Sequence, residues 1–203
     1  SHGHPDKLQI LYYNHGKLIL NDQGSIFYDK PDYVNWYSKT PVHNTVSVNM
    51  QSMKKDAPVL EIFGSAGKLH AFAGAAPTAY PGCTLERTTL LLDGTVLDVY
   101  RVDTLAAGDI SYNLHFADGK LTKTPPGEGP TGSPANFFSG TPFNMLTDQK
   151  KHTVGDNAVF EWDYGNSRAV RYVVETAKSE VISGKGIKPA SNPDHFVAVR
   201  RKE

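Results

Sequence analysis

Cysteine is nearly absent from this 203-residue chain: Cys83 stands alone. One thiol cannot close an internal disulfide and supplies at most a single thiolate to a metal. Excess charge is missing too, because 21 Lys and Arg balance 21 Asp and Glu. That balance excludes a global basic field for nucleic acid and a strongly acidic, solvating chain. No apolar run approaches the roughly 18 residues that a membrane-spanning helix requires, and no signal peptide is visible at the start. Nor does any segment carry a helical stripe of apolar residues at three- and four-residue spacing. What is present is 39% hydrophobic residues. That is too apolar for a disordered chain, and the length suffices for one large domain without covalent staples. The abrupt opening at Ser1 reads as the start of a fragment.

The periodicity is β throughout. Lys7–Tyr13 and Lys17–Leu20 flank Asn14-His-Gly16 and read as a hairpin. His43–Asn49 alternates in part as a half-buried strand does. Val59–Phe63 and Lys68–Phe72 are short strands. Leu85–Leu92 and Thr95–Val102 flank Asp93-Gly94, whose residues accept the positive φ that a type I′ turn demands. Ile110–Phe116, Ala158–Tyr164, Arg168–Glu175 and His195–Arg200 complete the strands, with β-branched and aromatic content in support. Residues 122–142 turn to Pro and Gly and read as a long surface loop. The expectation is an all-β, antiparallel β-sandwich forming a single domain over residues 1–203.

Histidine placement is the informative feature. Four of the eight histidines, His2, His4, His15 and His43, fall in the first fifth of the chain. On an extended segment His2 and His4 project from one face. Two imidazoles there can hold one divalent cation, or divide metal binding and proton chemistry between them. Asp22 ends the strand paired with the first one, and His43 opens a further strand. His4, Asp22 and His43 would form a two-histidine, one-carboxylate set that suits zinc and leaves a fourth position for water. The plainer alternative is a pair of surface histidines, or a cloning remnant at the start. Between Asp22 and His43 lies an aromatic stretch, Phe27-Tyr28 to Trp36-Tyr37. Its rings could stack on sugars, or could simply cap the core, which is the commoner role.

Two motifs carry a family likeness. His2-Gly-His-Pro-Asp-Lys-Leu8 followed by Asn14-His-Gly-Lys-Leu-Ile-Leu-Asn-Asp22-Gln-Gly24 resembles the opening of the C-terminal β-domain of heparinase II/III-like polysaccharide lyases. Trp36-Tyr-Ser-Lys-Thr-Pro-Val-His-Asn-Thr-Val46 resembles that family's aromatic segment ending in His-Asn-Thr-Val. Glu86–Gly94, Leu97–Val102 and Phe196–Arg201 also fit, so the likeness spans most of the chain. It implies that His4, Asp22 and His43 bind zinc and that His2 reaches a substrate cleft. Tyr28 and Tyr37 are the two candidates for a tyrosine near that cleft.

In this family the remaining catalytic Asn, His and Tyr lie on an N-terminal helical toroid, which nothing in this chain supplies. The resemblance therefore implies that the chain is inactive by itself. The implied reaction is β-elimination on an acidic, uronic-acid-containing polysaccharide. A base removes the proton α to the carboxylate, an acid protonates the leaving oxygen, and a hydrogen-bonded carboxylate stabilises the enolate-like transition state. A structural zinc would pin the strand and loop carrying His2. An open site could instead activate water. The resemblance also implies a periplasmic or secreted protein. A cupin-like metalloprotein and a non-catalytic carbohydrate-binding or scaffold module are the alternatives.

The other titratable groups read as structural. His15 falls in a hairpin turn, His115 is a buried, satisfied histidine, and Cys83 is a small core residue. His70, His152 and His195 have no nearby partner set, and Arg200, Arg201 and Lys202 form a solvated basic end. A missing toroid should leave an apolar or aromatic face near His2 and Tyr28.

Overall fold

A computed structural model describes residues 3–202 except 56, 107, 118, 130–136, 139, 141, 167–168 and 188–193. The strands, in chain order, are β1 (Tyr12–Asn14), β2 (Lys17–Leu20), β3 (Val46–Val48), β4 (Val59–Ala66) and β5 (Leu69–Tyr80). There follow β6 (Cys83–Leu92), β7 (Thr95–Thr104), β8 (Asp109–Phe116), β9 (Lys120–Lys123) and β10 (Gly127–Glu128). The last are β11 (Thr147–His152), β12 (Asn157–Asp163), β13 (Ala169–Glu175), β14 (Glu180–Lys185) and β15 (His195–Lys202). Among the described residues, helical structure is confined to a short turn over residues 31–37, of π form at Tyr33–Tyr37, and 3-10 turns at Thr40–Val42 and Phe143–Met145. No helix among the described residues is long and apolar enough to cross a membrane.

Three antiparallel sheets result. The largest has eight strands in the order β1-β2-β8-β15-β14-β11-β10, with β3 also paired to β8. The others are β4-β5-β6-β7 and β13-β12-β9. One face of the large sheet meets both smaller ones. Leu114, Phe116, Val181 and Val197 pack on Phe160 and Trp162 of β12. Val46 and Val48 pack on Ala76, Tyr80, Cys83 and Leu85 of the four-stranded sheet. The opposite face, carrying Ile182, Phe196 and Ala198, is covered by Trp36, Tyr37, Phe138 and Phe143 from loops. The antiparallel sandwich expected from the periodicity is present, and Cys83 is buried in it. The two tight hairpins also have the expected chemistry: His15 and Gly16 have φ of 48° and 77°, and Asp93 and Gly94 have 46° and 78°.

Several boundaries differ, each for a hydrogen-bonding reason. Lys7–Leu11 is not a strand. Its carbonyls are taken by side chains, Lys7 O by Thr45 Oγ1, Leu8 O by Arg87 and Ile10 O by Asn44, and Leu8 sits at φ 59°. The strand after His43 starts only at Val46, because the 3-10 turn at Thr40–Val42 leads into His43. Part of the 122–142 stretch lies outside the described residues, but Gly127–Glu128 within it pairs with β11. Arg200 is not a solvated end. It is 8% exposed, its guanidinium grips Asp109 and it lies 5.1 Å from the Phe138 ring centroid. Its strand, β15, pairs along β8 and so brings Arg200 to the aspartate that opens β8. His152 and His195 have partners after all: Ser183 Oγ at 2.7 Å and Pro125 O at 2.9 Å for the first, Gly119 O at 3.1 Å for the second.

Candidate metal and active site

The site forms where two strands share one edge of β8. Leu20 of β2 pairs with Phe116 at one end, and Val46–Val48 of β3 pair with Tyr112–Ile110 at the other. Between them the edge of β8 would be left bare. Asn21 N–H donates to His115 O there, and Asn113 N–H donates to Thr45 O. The Asn44 side chain fills the remainder. Its Oδ1 accepts from His115 N at 2.7 Å, while its Nδ2 donates to Ile10 O at 2.9 Å and Asn21 O at 2.8 Å. Asn44 is fully buried, so it is the joint between the Asp22 and His43 segments and the opening stretch. Asn44→Ala is expected to lower stability by about 2–3 kcal/mol, because one buried and two part-buried backbone groups lose their partner. Urea unfolding of the variant measures this.

The opening stretch is held by side chains from below. Thr40 Oγ1 donates to Pro5 O at 2.6 Å and Thr45 Oγ1 to Lys7 O at 2.8 Å. Arg87 donates to both Leu8 O at 2.7 Å and Asn44 O at 2.6 Å. Its own charge is met by Asp98, with Nη2 and Oδ2 2.7 Å apart. One buried ion pair thus fastens the segment bearing His4 to the segment bearing His43.

His43 and Asp22 come together as the spacing anticipates. His43 is fully buried, and its Nδ1 lies 3.1 Å from Asp22 Oδ2. Asp22 Oδ1 accepts from Gly24 N at 2.6 Å. Burial alone would raise the Asp22 pKa, but His43 and the Gly24 N–H outweigh it and hold the carboxyl at about 2. His43 Nε2 is buried and meets no hydrogen-bond partner among the described residues. The His4 ring centroid stands 5.5 Å from that of His43. Burial and the neighbouring His43 both lower the His4 pKa, which favours the neutral imidazole that binds metal.

The donor set fits zinc in kind. The 3.1 Å from His43 to Asp22 is close to the about 3.3 Å that separates two ligands of a tetrahedral ion at about 2.0 Å. Among the described residues, however, no three His, Cys, Asp or Glu side chains already converge as a metal-sized cluster.

The other candidates divide. His2 lies outside the described residues. Tyr28 is 56% exposed. Its ring packs edge-on against Tyr33 at 4.6 Å, and Tyr33 in turn lies 5.9 Å from His4. Tyr37 is 1% exposed in the loop-covered core, so of the two tyrosines only Tyr28 presents itself at the surface. Phe27 and Val34 beside it are also exposed, in keeping with an apolar face there. The sequence reading did not single out Asn44, Arg87 or Tyr33. Asn44 sits inside the His-Asn-Thr-Val motif, which was its available signal.

The fold is an antiparallel sandwich that brings a His–Asp pair, His43 and Asp22, beside a second imidazole, that of His4. The chain belongs to the heparinase II/III-like, C-terminal family, whose model matches residues 1–190. It is 28% identical over 147 residues to an alginate lyase of Stenotrophomonas maltophilia, a match covering 61% of this chain and 20% of that protein. The crystal structure of a mutant heparan sulfate lyase from Pedobacter heparinus superposes with a TM-score of 0.63 at 15% identity, covering 100% of this chain and 29% of that one. A crystal structure of heparinase III gives a TM-score of 0.54 at 14% identity, with 100% and 30% covered. The chain therefore spans less than a third of the length of these relatives.

Proposed function

We propose that this chain is the zinc-holding β-domain of a polysaccharide lyase that cleaves an acidic, uronic-acid-containing polysaccharide by β-elimination. The carrying observation is the close approach of buried His43, through Nδ1, to half-buried Asp22, with the His4 ring 5.5 Å from that of His43. His4, Asp22 and His43 would hold the ion, and the bound ion would supply a cross-link among three segments distant in sequence. Arg87, Thr40, Thr45 and Asn44 already hold those segments by their backbones. Such a site is structural: it fixes the stretch from which His2 extends. His2 and Tyr28 would then face substrate, in carboxylate neutralisation or proton transfer. The remaining catalytic groups would come from a helical toroid domain, so the chain alone is expected to be inactive. The family likeness supports a periplasmic or secreted location. Against a cupin, the described strands form three separate sheets rather than one closed barrel.

Metal analysis tests the centre without a substrate. The purified chain should carry one equivalent of zinc, and His4→Ala and His43→Ala should each lose it. Metal-free wild-type protein after zinc dialysis would overturn the assignment. In the longer protein, release of unsaturated uronate products, abolished by His2→Ala, tests the reaction separately.

A further inference from the structure

On the face of the large sheet away from His43, the second layer is broken. The four-stranded sheet ends at β7 and the three-stranded sheet ends at β13, and neither edge strand has a further partner strand among the described residues. Between them lies a cavity of about 760 Å3. Its floor is the apolar row of β8, in which Ile110 and Tyr112 are half-buried while Leu114 and Phe116 are already covered by β12. Its walls are unbroken runs of residues, 94–100 on one side and 170–175 on the other. Lining by consecutive residues, rather than alternate ones, means that strand edges form the walls.

We infer that this gap is a docking slot for one extended, uncharged peptide strand supplied by another protein chain. Size, hydrogen bonding and charge all agree. A strand residue in a sandwich fills about 160 Å3, from roughly 3.4 Å along the strand, 4.8 Å across and 10 Å between layers. The 760 Å3 gap therefore holds about five residues. The two-residue turn at Asp93-Gly94 makes Leu92 and Thr95 a hydrogen-bonded pair, so Val96, Asp98 and Tyr100 aim their N–H and C=O groups away from β6 into the gap. No backbone partner meets those groups among the described residues. The charged side chains at the slot are matched within the protein: Asp98 by Arg87 at 2.7 Å, Arg171 by Glu161 at 3.6 Å and Arg201 by Glu175 at 3.7 Å. A charged occupant would meet no counter-ion. The outer shoulders are apolar, with Leu97 57%, Val99 53% and Val173 54% exposed, so branched apolar residues suit both faces of the inserted strand. Among the other sheet edges β4 is also exposed and apolar, but it offers one edge and no floor, so it is the weaker template for strand addition.

The probe is the capped pentapeptide Val-Thr-Val-Thr-Val, added to the purified chain and followed by amide exchange and nitrogen–proton NMR. Exchange at Val96, Asp98, Tyr100 and alternate residues of β13 should slow at least tenfold. A version N-methylated on alternate residues, unable to complete the pairing, should bind at least tenfold more weakly. Val173→Lys should weaken binding by a similar factor while leaving the melting temperature unchanged. No perturbation at millimolar peptide, or protection confined to β4, would overturn the proposal. So would slot protection that rises with protein concentration in the absence of peptide, because the occupant would then be a second copy.

Discussion

Arg87→Met should destabilise the protein by about 3–5 kcal/mol, the range for removing one partner of a buried ion pair. For a chain of this size that is a fall of roughly 10 °C in Tm. The Arg87 side chain is wholly buried. It bonds Asp98 through two nitrogens, reaches Leu8 O and Asn44 O, and lies 5.3 and 5.8 Å from the ring centroids of Tyr100 and Tyr112. The variant leaves a buried carboxylate held only by neutral hydroxyls, those of Thr89 and Tyr112. It also leaves two carbonyls without donors. Arg87→Met combined with Asp98→Leu should recover part of the loss, since the orphan charge disappears but the two carbonyls stay bare. Urea titration of the four proteins in this cycle measures both terms. Zinc affinity should fall in the single variant, because Arg87 ties the His4 and His43 segments together. A single variant as stable as wild type would show that these carbonyls are held by something else.

The second large effect is acid lability centred on His115. Its ring is buried, with Nε2 donating to Pro41 O at 3.1 Å and Nδ1 without a protein partner. The histidine is therefore buried as anticipated but only half satisfied. Burial pushes its pKa from 6.5 down to about 4. The unfolded chain thus takes up a proton near pH 6.5 while the folded chain refuses it until about pH 4. This contribution to stability is fully present above pH 6.5 and is lost as pH falls to about 4, by about 3 kcal/mol in all. His115→Gln keeps a donor for Pro41 O and does not titrate, so it should flatten most of that slope. His152 and His195, also lowered by burial, leave a residual one. Asp22 acts in a different window: its stabilisation is present above 3.8 and is lost as pH falls through about 2. Unfolding free energies at half-unit pH steps separate the two. An unchanged slope in His115→Gln would mean that the ring is solvated in the folded state.

The strands most legible in the sequence were those whose residue types and turns agree. Leu85–Leu92 and Thr95–Val102 are β-prone runs either side of Asp93-Gly94, which can adopt the backbone their hairpin needs. Four strands were not legible. Thr147–His152 is nearly all polar, because its buried positions are Gln149 and His152, each satisfied by specific partners rather than by apolar contact. Lys120–Lys123 and Gly127–Glu128 are short and sit among prolines and glycines. Glu180–Lys185 carries a Ser-Gly pair that masks its buried Val181 and Ile182. At the site, residue types and spacing pointed to His4, Asp22 and His43. They could not point to Arg87 or Asn44, whose backbone partners are 43 and 79 positions away for the first and 23 to 71 for the second. Arg200 was misread for the same reason, its aspartate being 91 residues distant.

The grip on the opening stretch falls on peptide carbonyls, those of Pro5, Lys7, Leu8 and Ile10. Every L-amino acid presents the same carbonyl. Only Pro5 and Leu8 in that run have buried side chains. The instructions for placing the run that follows His4 are therefore written largely some 35 to 80 positions downstream.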